Sequence, residues 1–259
     1  YWVSFLNLFM DHHKAHKHTE LQRISHLLDL KESDLTFLED VSLENLKFLY
    51  EKIENGIYKE QSGIWEPLAK VCRYLPNFLN AKISEEILGP GITANITYHV
   101  PVKDAVSIAS HFSIKFFCDV VEHLVPAKIE HIIDASPISQ MRQAFKELMT
   151  RENYYIVGGL IDHTPLDKVV EISKDVTSDS MLLLLSNYVS RKERISAIME
   201  SYEDKKIRNI LITSVNVKQT DIIEDAYENG KPALKERLKN IILSLEDKEQ
   251  RETLSKIIG

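Results

Sequence analysis

Glycine and proline are both scarce in this chain, with 8 of each among 259 residues. Average usage would give roughly 18 glycines and 13 prolines at this length. β-Sandwiches and barrels need many turns built from these residues, and phosphate-binding loops need clustered glycines, so the shortage argues against all of them. Because 44% of the residues are hydrophobic and 27% are charged, disorder is excluded too, and a largely helical chain remains.

Cysteine is scarcer still. Cys72 and Cys118 are the only two, they lie far apart in the sequence, and each is surrounded by apolar residues at helical spacing. A disulfide-stapled scaffold is therefore excluded. Both side chains are predicted to be reduced thiols in the core of a cytoplasmic protein.

An excess of positive charge is also missing. The chain has 32 Lys and Arg against 39 Asp and Glu, which gives a net charge of −7. This balance argues against a nucleic-acid partner, because affinity for phosphates depends on clustered cations. No stretch approaches the ~18 apolar residues of a membrane span.

The most apolar stretch is residues 1–10, YWVSFLNLFM. At helical spacing it places four large side chains on one face: Trp2, Phe5, Leu6 and Phe9. It lacks the Lys- and Arg-rich polar face of a helix that lies on a membrane surface. Contact of residues 1–10 with a membrane is therefore less favoured than burial in a groove of the fold or in the interface of a homo-oligomer.

From about residue 64 the sequence is typical of short amphipathic helices with connections of about two to four residues. Most prolines stand at or just before a helix start, where a missing N–H loses no intrahelical bond: Pro76, Pro90, Pro101, Pro126, Pro137 and Pro165. The predicted helices include Ala105–Phe112, Ile114–Leu124, Ala127–Ile133, Ile138–Met149, Tyr154–Ile161, Leu166–Val176 and Met181–Val189. We predict an all-α fold, a superhelical solenoid of short antiparallel helix pairs.

A weak internal repeat supports this prediction. Aligning VPVKDAVSIASHFSIKFFCDVVEHL with VPAKIEHIIDASPISQMRQAFKELM pairs Val100-Pro101 with Val125-Pro126 at a period of 25 residues, and a third unit keeps the proline at Pro165. Self-similarity at such a period is typical of repeat architectures. Over about residues 90–215 these helix pairs resemble the cytoplasmic N-terminal domain of MgtE magnesium transporters and the middle domain of the flagellar switch protein FliG. The resemblance implies a bacterial helical-repeat protein, but not transport, because neither transmembrane helices nor CBS repeats are recognisable.

Three segments are predicted along the chain. A helix over Ser42–Ile53 is expected to end at the stop signal Asn55-Gly56. We therefore expect residues 1–60 to form an N-terminal helical segment with a His-rich linker and residues 61–215 to form the repeat domain. Residues 216–259 are expected to form C-terminal capping helices.

Histidine suggests one candidate metal site. His12 and His16 have the i,i+4 spacing that puts two imidazoles on one transition metal, although a polar linker explains this His-rich stretch as well. His99, His111 and His123 recur every twelve residues near predicted helix ends, as does His163. There an imidazole would face the negative end of a helix dipole, so we interpret these four as caps.

The second candidate metal site is a row of carboxylates. Four acidic residues lie at i, i+3, i+4 and i+7 on one helix face: Asp221, Glu224, Asp225 and Glu228. Like charges at this spacing destabilise a helix by a few tenths of a kcal/mol per pair. Mg²⁺ could offset this repulsion, but Lys218 and Lys231 flank the row and could do so as well.

Gly158-Gly159 interrupts an apolar helix at a cost of about 2 kcal/mol, so these residues need a packing reason, such as the close approach of another helix or of Trp65. No nucleophile, base and carboxylate share a catalytic spacing. We therefore predict a non-enzymatic scaffold or adaptor that binds a protein partner or itself and needs no cofactor. The alternative is a Mg²⁺-sensing domain that uses the acidic face.

Overall fold

The computed structural model describes residues 17–258 except positions 19, 26 and 29, and it leaves out the side chains at 54 and 57–62. Every regular element in this part of the chain is helical, so the all-α prediction is confirmed. The residues predicted near the N-terminus to mediate interaction or to bind a metal lie outside the described residues: Trp2, Phe5, Leu6, Phe9, His12 and His16.

The helices follow one another through short connections. Residues 20–25 form α1. It is followed by a 3-10 helix (Glu32–Leu38), α2 (Leu43–Cys72), α3 (Asn77–Ile83), a π-helical turn (Ser84–Leu88), α4 (Gly89–Thr97), α5 (Val102–Ala109), α6 (Ile114–Glu122), a 3-10 turn (Pro126–Lys128), α7 (Glu130–Ala135) and α8 (Ile138–Thr150). The remaining helices are α9 (Tyr154–His163), α10 (Leu166–Ser173), α11 (Asp179–Ser186), α12 (Lys192–Glu200), α13 (Asp204–Asn216), α14 (Asp221–Glu228), α15 (Pro232–Leu243) and α16 (Lys248–Ile257). All seven helices predicted between 105 and 189 are present, with ends shifted by at most three residues.

The chain divides into two compact units, one up to Ile156 and one from Val157. Within each unit a helix packs mainly against the helix two places along the chain. The first unit pairs α2 with α4, α4 with α6, α6 with α8, and α3 with α5; the second pairs α10 with α12, α11 with α13, and α12 with α14. Stacked helix pairs have this neighbour pattern. The superhelical path and the three-segment division at about 60 and 215 stay predictions.

Proline marks helix starts, as the sequence predicts. Four prolines are the residue just before the first helical position: Pro76, Pro101, Pro137 and Pro165. Pro90 and Pro126 occupy the first positions inside their helices. The scarce prolines are therefore concentrated where a missing N–H costs no intrahelical bond.

The helix stop predicted at Asn55-Gly56 is wrong. Helix α2 continues from Leu43 to Cys72, through Gly56, Gly63 and Pro67. A glycine ends a helix when it adopts a left-handed conformation, but Gly56 stays helical. An internal glycine then costs only about 1 kcal/mol, which the rest of a 30-residue helix outweighs.

Two helix ends use a charged residue where glycine is usual. Lys218 (φ 58°) follows α13 and Glu152 (φ 59°) follows α8, both in the left-handed region. After α13 the N–H of Gln219 donates to the carbonyl of Ser214, which is the Schellman arrangement. The shortage of glycine thus leaves strain at two helix ends, because a side chain at positive φ costs about 1 kcal/mol or more.

Relieving this strain gives a first prediction. Lys218→Gly should raise the free energy of unfolding by about 0.5–1 kcal/mol. Glycine removes the backbone strain at positive φ in the folded state, and this relief exceeds the stabilisation that its extra conformational entropy gives the unfolded chain. Urea unfolding followed by circular dichroism measures the change. The control Lys235→Gly, inside α15, should lower the free energy of unfolding by a similar amount, and a loss of stability for both variants would contradict the prediction.

The four histidines predicted near helix ends are found there. His123 is the residue that caps α6, His99 and His111 follow the capping residues of α4 and α5, and His163 is the last residue of α9. Their predicted positions are confirmed.

Several helices are tied by side chains that donate to the end of a helix three places earlier. The third residue of α8, Gln140, donates to the carbonyl of Ala109 at the end of α5 over 2.9 Å. The third residue of α12, Arg194, donates to the carbonyls of Ile161 and Thr164 at the end of α9. The third residue of α13, Lys206, does the same after α10. The accepting carbonyls lie in the last turn of the earlier helix or just after it, where intrahelical partners run out.

The core of the second unit is large and continuous. It includes most of the apolar side chains of the last two helices and of the turn after each, with Ile257 only partly buried, and the fully packed ones are Leu234, Leu238, Ile241, Ile242, Leu245, Leu254 and Ile258. In α9, Gly158 approaches the backbone of Tyr188, and a Cβ at this position would lie 2.3 Å from that carbonyl oxygen. The predicted packing reason is thus confirmed for Gly158. None of the described helices is long and apolar enough to cross a membrane.

Candidate protein-docking surface

Exposed apolar side chains are concentrated in one part of the chain. Of the fourteen large apolar side chains that are exposed among the described residues, eleven lie between Leu28 and Ile92. Single exposed apolar residues are ordinary, whereas a contiguous group marks an interaction surface. The part of the chain around α2 and α3 is therefore the candidate interaction surface.

The clearest group lies on the second half of α2. Ile64, Leu68 and Val71 are 60%, 42% and 54% exposed. At 100° per residue they fall within an arc of about 60° and extend over roughly 10 Å of the helix. Glu66 and Lys70 lie on the opposite side and are exposed as well, so this part of α2 exposes a charged face and an apolar face.

Two more exposed apolar side chains follow the end of the helix in the sequence. Tyr74, in the turn after α2, is 87% exposed, and Phe78, in the first turn of α3, is 61% exposed. We call these two residues together with Ile64, Leu68 and Val71 the α2 row. Exposed apolar side chains near one another in the sequence make this part of the chain a candidate for binding an amphipathic helix.

The turn within the α2 row is held by a buried amide. Asn80, in α3, is 5% exposed, and its Nδ2 donates to the carbonyl of Cys72 over 2.8 Å and to that of Leu75 over 3.2 Å. Cys72 is the last residue of α2, where intrahelical partners run out, and Leu75 lies in the turn that follows. The bonds fix the angle at which α3 leaves α2, and with it the relative placement of Val71 and Phe78.

The two cysteines differ in their surroundings. Cys118 is fully buried, in agreement with the predicted core thiol, and burial raises its pKa to about 12. Cys72 is only half-buried, so its predicted place in the core is wrong. It is the last residue of α2, and its Sγ donates to the backbone carbonyl of Leu68, one turn earlier, over 3.6 Å. Both thiols are free.

The acidic face of α14 is partly neutralised from within the protein. Asp225 pairs with Lys192 of α12, with Oδ2 and Nζ 3.2 Å apart. Lys231, one of the flanking lysines expected to neutralise the face, pairs instead with Glu200. Helix α12 packs on α14. Lys192 of α12 therefore supplies the positive charge that the sequence analysis expects from Mg²⁺ or from a lysine flanking the acidic row.

No metal site is evident at this face. Among the described residues, no three His, Cys, Asp or Glu side chains converge as metal ligands would. Asp221, Glu224, Asp225 and Glu228 share one helix, and the structure does not draw them into a joint ligand set. Mg²⁺ binding at α14 therefore stays a prediction.

A second charged cluster lies in the first unit. Arg151 Nη1 is 2.5 Å from Asp119 Oδ1 and 3.0 Å from Glu122 Oε1, and its Nε is 3.0 Å from Glu147 Oε1. These three carboxylates raise the pKa of the guanidinium. Arg151 follows α8 and reaches α6, so the cluster explains how these neighbouring helices are joined.

An open groove of about 390 Å³ lies between α13 and α15. Three of its four charged groups have partners within the protein, since Arg208 donates to Ser244 and Arg237 to Asp204. The groove is therefore a weaker candidate for binding than the α2 row.

Comparisons with known proteins provide no further guide, since no family model, curated protein or solved structure matches this chain. The resemblance to MgtE and FliG stays a prediction.

Proposed function

We propose that this protein is a non-enzymatic interaction scaffold whose α2 row binds an amphipathic helix of a partner protein. The observation that carries the proposal is the run of five exposed apolar side chains along α2 and the start of α3: Ile64, Leu68, Val71, Tyr74 and Phe78. When one amphipathic helix packs on another protein, its contact face carries apolar anchors at i, i+3, i+4 and i+7. The first three residues have this spacing, so α2 would present its own apolar face to the partner helix.

The size of the α2 row suggests weak, reversible binding. Full burial of an aliphatic or aromatic side chain contributes about 1.5–3 kcal/mol. Because the five side chains are already partly covered, burying what remains would contribute about 7 kcal/mol in all. Association costs roughly 4–15 kcal/mol, so a partner needs further contacts or a tether to bind tightly. Such affinities suit an adaptor that exchanges partners.

A peptide-display library, with peptides of about 16 residues to allow four helical turns, tests this proposal. Selected peptides should share apolar anchors at helical spacing. Leu68→Glu should weaken their binding roughly tenfold or more, because a carboxylate would be buried among apolar groups. Circular dichroism of the variant establishes that it folds.

The matched control is Lys70→Gln, which changes the net charge by the same amount on the opposite face of α2. It should leave peptide binding unchanged. Failure to select any helical peptide, or equal binding by the Leu68→Glu variant and the unsubstituted protein, would overturn the proposed function.

A further inference from the structure

We infer that two copies of this chain pair through the α2 row, with the second halves of their α2 helices crossing near Leu68. The inference rests on the proposed function, because it assigns a partner to the same surface. That partner is the α2 helix of a second copy. Each copy would then provide both the binding surface and the helix that binds to it.

The α2 row continues a face of α2 that is covered elsewhere along the same helix. Leu46 and Tyr50 precede Ile64 and Leu68 by eighteen residues each, which is about five helical turns, so all four lie on one face. In the first half of α2, Leu46 is fully buried in an apolar cluster with side chains of α1 and of the 3-10 helix, and Tyr50 packs against that cluster. In the second half the same face is exposed at Ile64 and Leu68. An apolar face that helices cover over half its length is suited to a helical partner over the other half.

A second copy fits this surface because the surface is complementary to itself. In a twofold dimer the same patch meets itself, so a residue near the axis faces its own counterpart. Leu68 is the middle one of the three anchors on α2. An axis near Leu68 would therefore bring Ile64 of one copy towards Val71 of the other. Each α2 offers the anchor spacing that its partner needs.

The charge distribution allows this contact even though the chain has a net charge of −7. All five side chains of the α2 row are uncharged. Glu66 and Lys70 are exposed as well, but they lie on the opposite side of α2. Two facing rows would therefore bring no like charges of their own together and would bury no unpaired charge.

The exposed area of two α2 rows is close to what a specific interface needs. With ~100 Å² for a fully exposed aliphatic side chain and ~200 Å² for an aromatic one, the exposed fractions of the five side chains leave about 450 Å² on each copy. Two copies would bury about 900 Å² through these side chains alone, and specific interfaces begin at about 1,000 Å². An interface at this lower limit predicts a reversible dimer.

Sedimentation velocity of the full chain between about 1 and 300 µM tests the inference, and the chain should change from monomer to dimer within this range. Leu68→Glu should raise the dissociation constant of the dimer about a hundredfold, because each dimer would bury two carboxylates among apolar groups and each costs about tenfold. Circular dichroism of the variant establishes that it folds.

The matched control is again Lys70→Gln, which changes the net charge by the same amount on the opposite side of α2. It should leave the dissociation constant of the dimer unchanged. A chain that stays monomeric up to about 300 µM would overturn the inference. So would a Leu68→Glu variant that dimerises as well as the unsubstituted protein, or an equal weakening by Lys70→Gln.

A disulfide between copies tests the position of the axis. In a chain that carries Cys72→Ser, Leu68→Cys should form a disulfide-linked dimer under mild oxidation, because a disulfide needs Cα atoms about 6 Å apart and residues beside a twofold axis meet closely. Lys70→Cys in the same background should stay monomeric on a non-reducing gel. Cys118 is buried in both. Equal cross-linking of the two variants would contradict a twofold contact at Leu68.

The two proposals fail separately. If selected peptides bind at Leu68 but the chain stays monomeric, the inference falls and the proposed function stands. If the chain dimerises through Leu68 but no peptide binds there, the proposed function falls and the inference stands. If both are correct, a bound peptide should convert the dimer to the monomer, because both occupy the α2 row. A dimer that persists with saturating peptide would overturn the inference.

Discussion

Gly158→Ala should lower the free energy of unfolding by about 3 kcal/mol, even though alanine is the better helix former. The new Cβ would lie 2.3 Å from the carbonyl oxygen of Tyr188 and 2.6 Å from its carbonyl carbon. Both atoms belong to the backbone that follows α11, so no side-chain rotation relieves the overlap. The backbone of α9 or that of Tyr188 must shift, and well-packed interiors resist such shifts.

Urea unfolding followed by circular dichroism measures this loss. Gly63→Ala is the control, because nothing lies within 4 Å of the added Cβ and the residue is inside α2. It should raise the free energy of unfolding by about 0.5–1 kcal/mol. A Gly158→Ala variant as stable as the unsubstituted protein would show that the contact with Tyr188 is not tight.

Asp162→Ala should cost about 3–5 kcal/mol. The carboxylate is 5% exposed and accepts hydrogen bonds from the backbone N–H groups of Ser190 and Arg191, both over 2.9 Å. These N–H groups stand at the start of α12, where no carbonyl of the same helix faces them. Alanine would leave both donors without this acceptor, and each charge-assisted bond contributes roughly 1.5–3 kcal/mol.

Two further variants define the cause. Asp162→Asn retains the shape of the side chain and one acceptor oxygen. It should therefore lower the free energy of unfolding, but by less than Asp162→Ala does. Asp167→Ala removes an exposed carboxylate from the first turn of α10 in the same unit. It should cost less than about 1 kcal/mol. Equal losses from Asp162→Ala and Asp167→Ala would mean that the two backbone bonds contribute nothing.

Both residues act between helices that are distant in the sequence, which limits what sequence patterns reveal. The cost of Gly158-Gly159 inside a helix indicates that some close contact exists, but the contact itself, Tyr188, lies thirty residues later. Nothing in the neighbourhood of Asp162 distinguishes it from an exposed carboxylate such as Asp167. Its importance arises because the end of α9 meets the start of α12.

The candidate docking surface was within reach of sequence reasoning but was missed. Ile64, Leu68 and Val71 have helical spacing, and Glu66 and Lys70 lie opposite them. Interpreting Asn55-Gly56 as a helix stop separated these residues from the helix that carries them. Even with α2 correctly extended, periodicity identifies an apolar face without telling whether a neighbouring helix covers it. Only the exposure in the folded chain does so.

The sequence by itself determined the all-α class, the positions of the short helices and their proline-marked starts, because these depend on local spacing and on which backbone groups lack partners. Tertiary structure decided the rest. It paired Asp225 with Lys192 and brought Arg194 within hydrogen-bonding distance of the carbonyls of Ile161 and Thr164. It also left the side chains of the α2 row exposed. These outcomes depend on which helices become neighbours across about thirty residues, and hydrophobic burial selects those neighbours over the whole chain, not within any local segment.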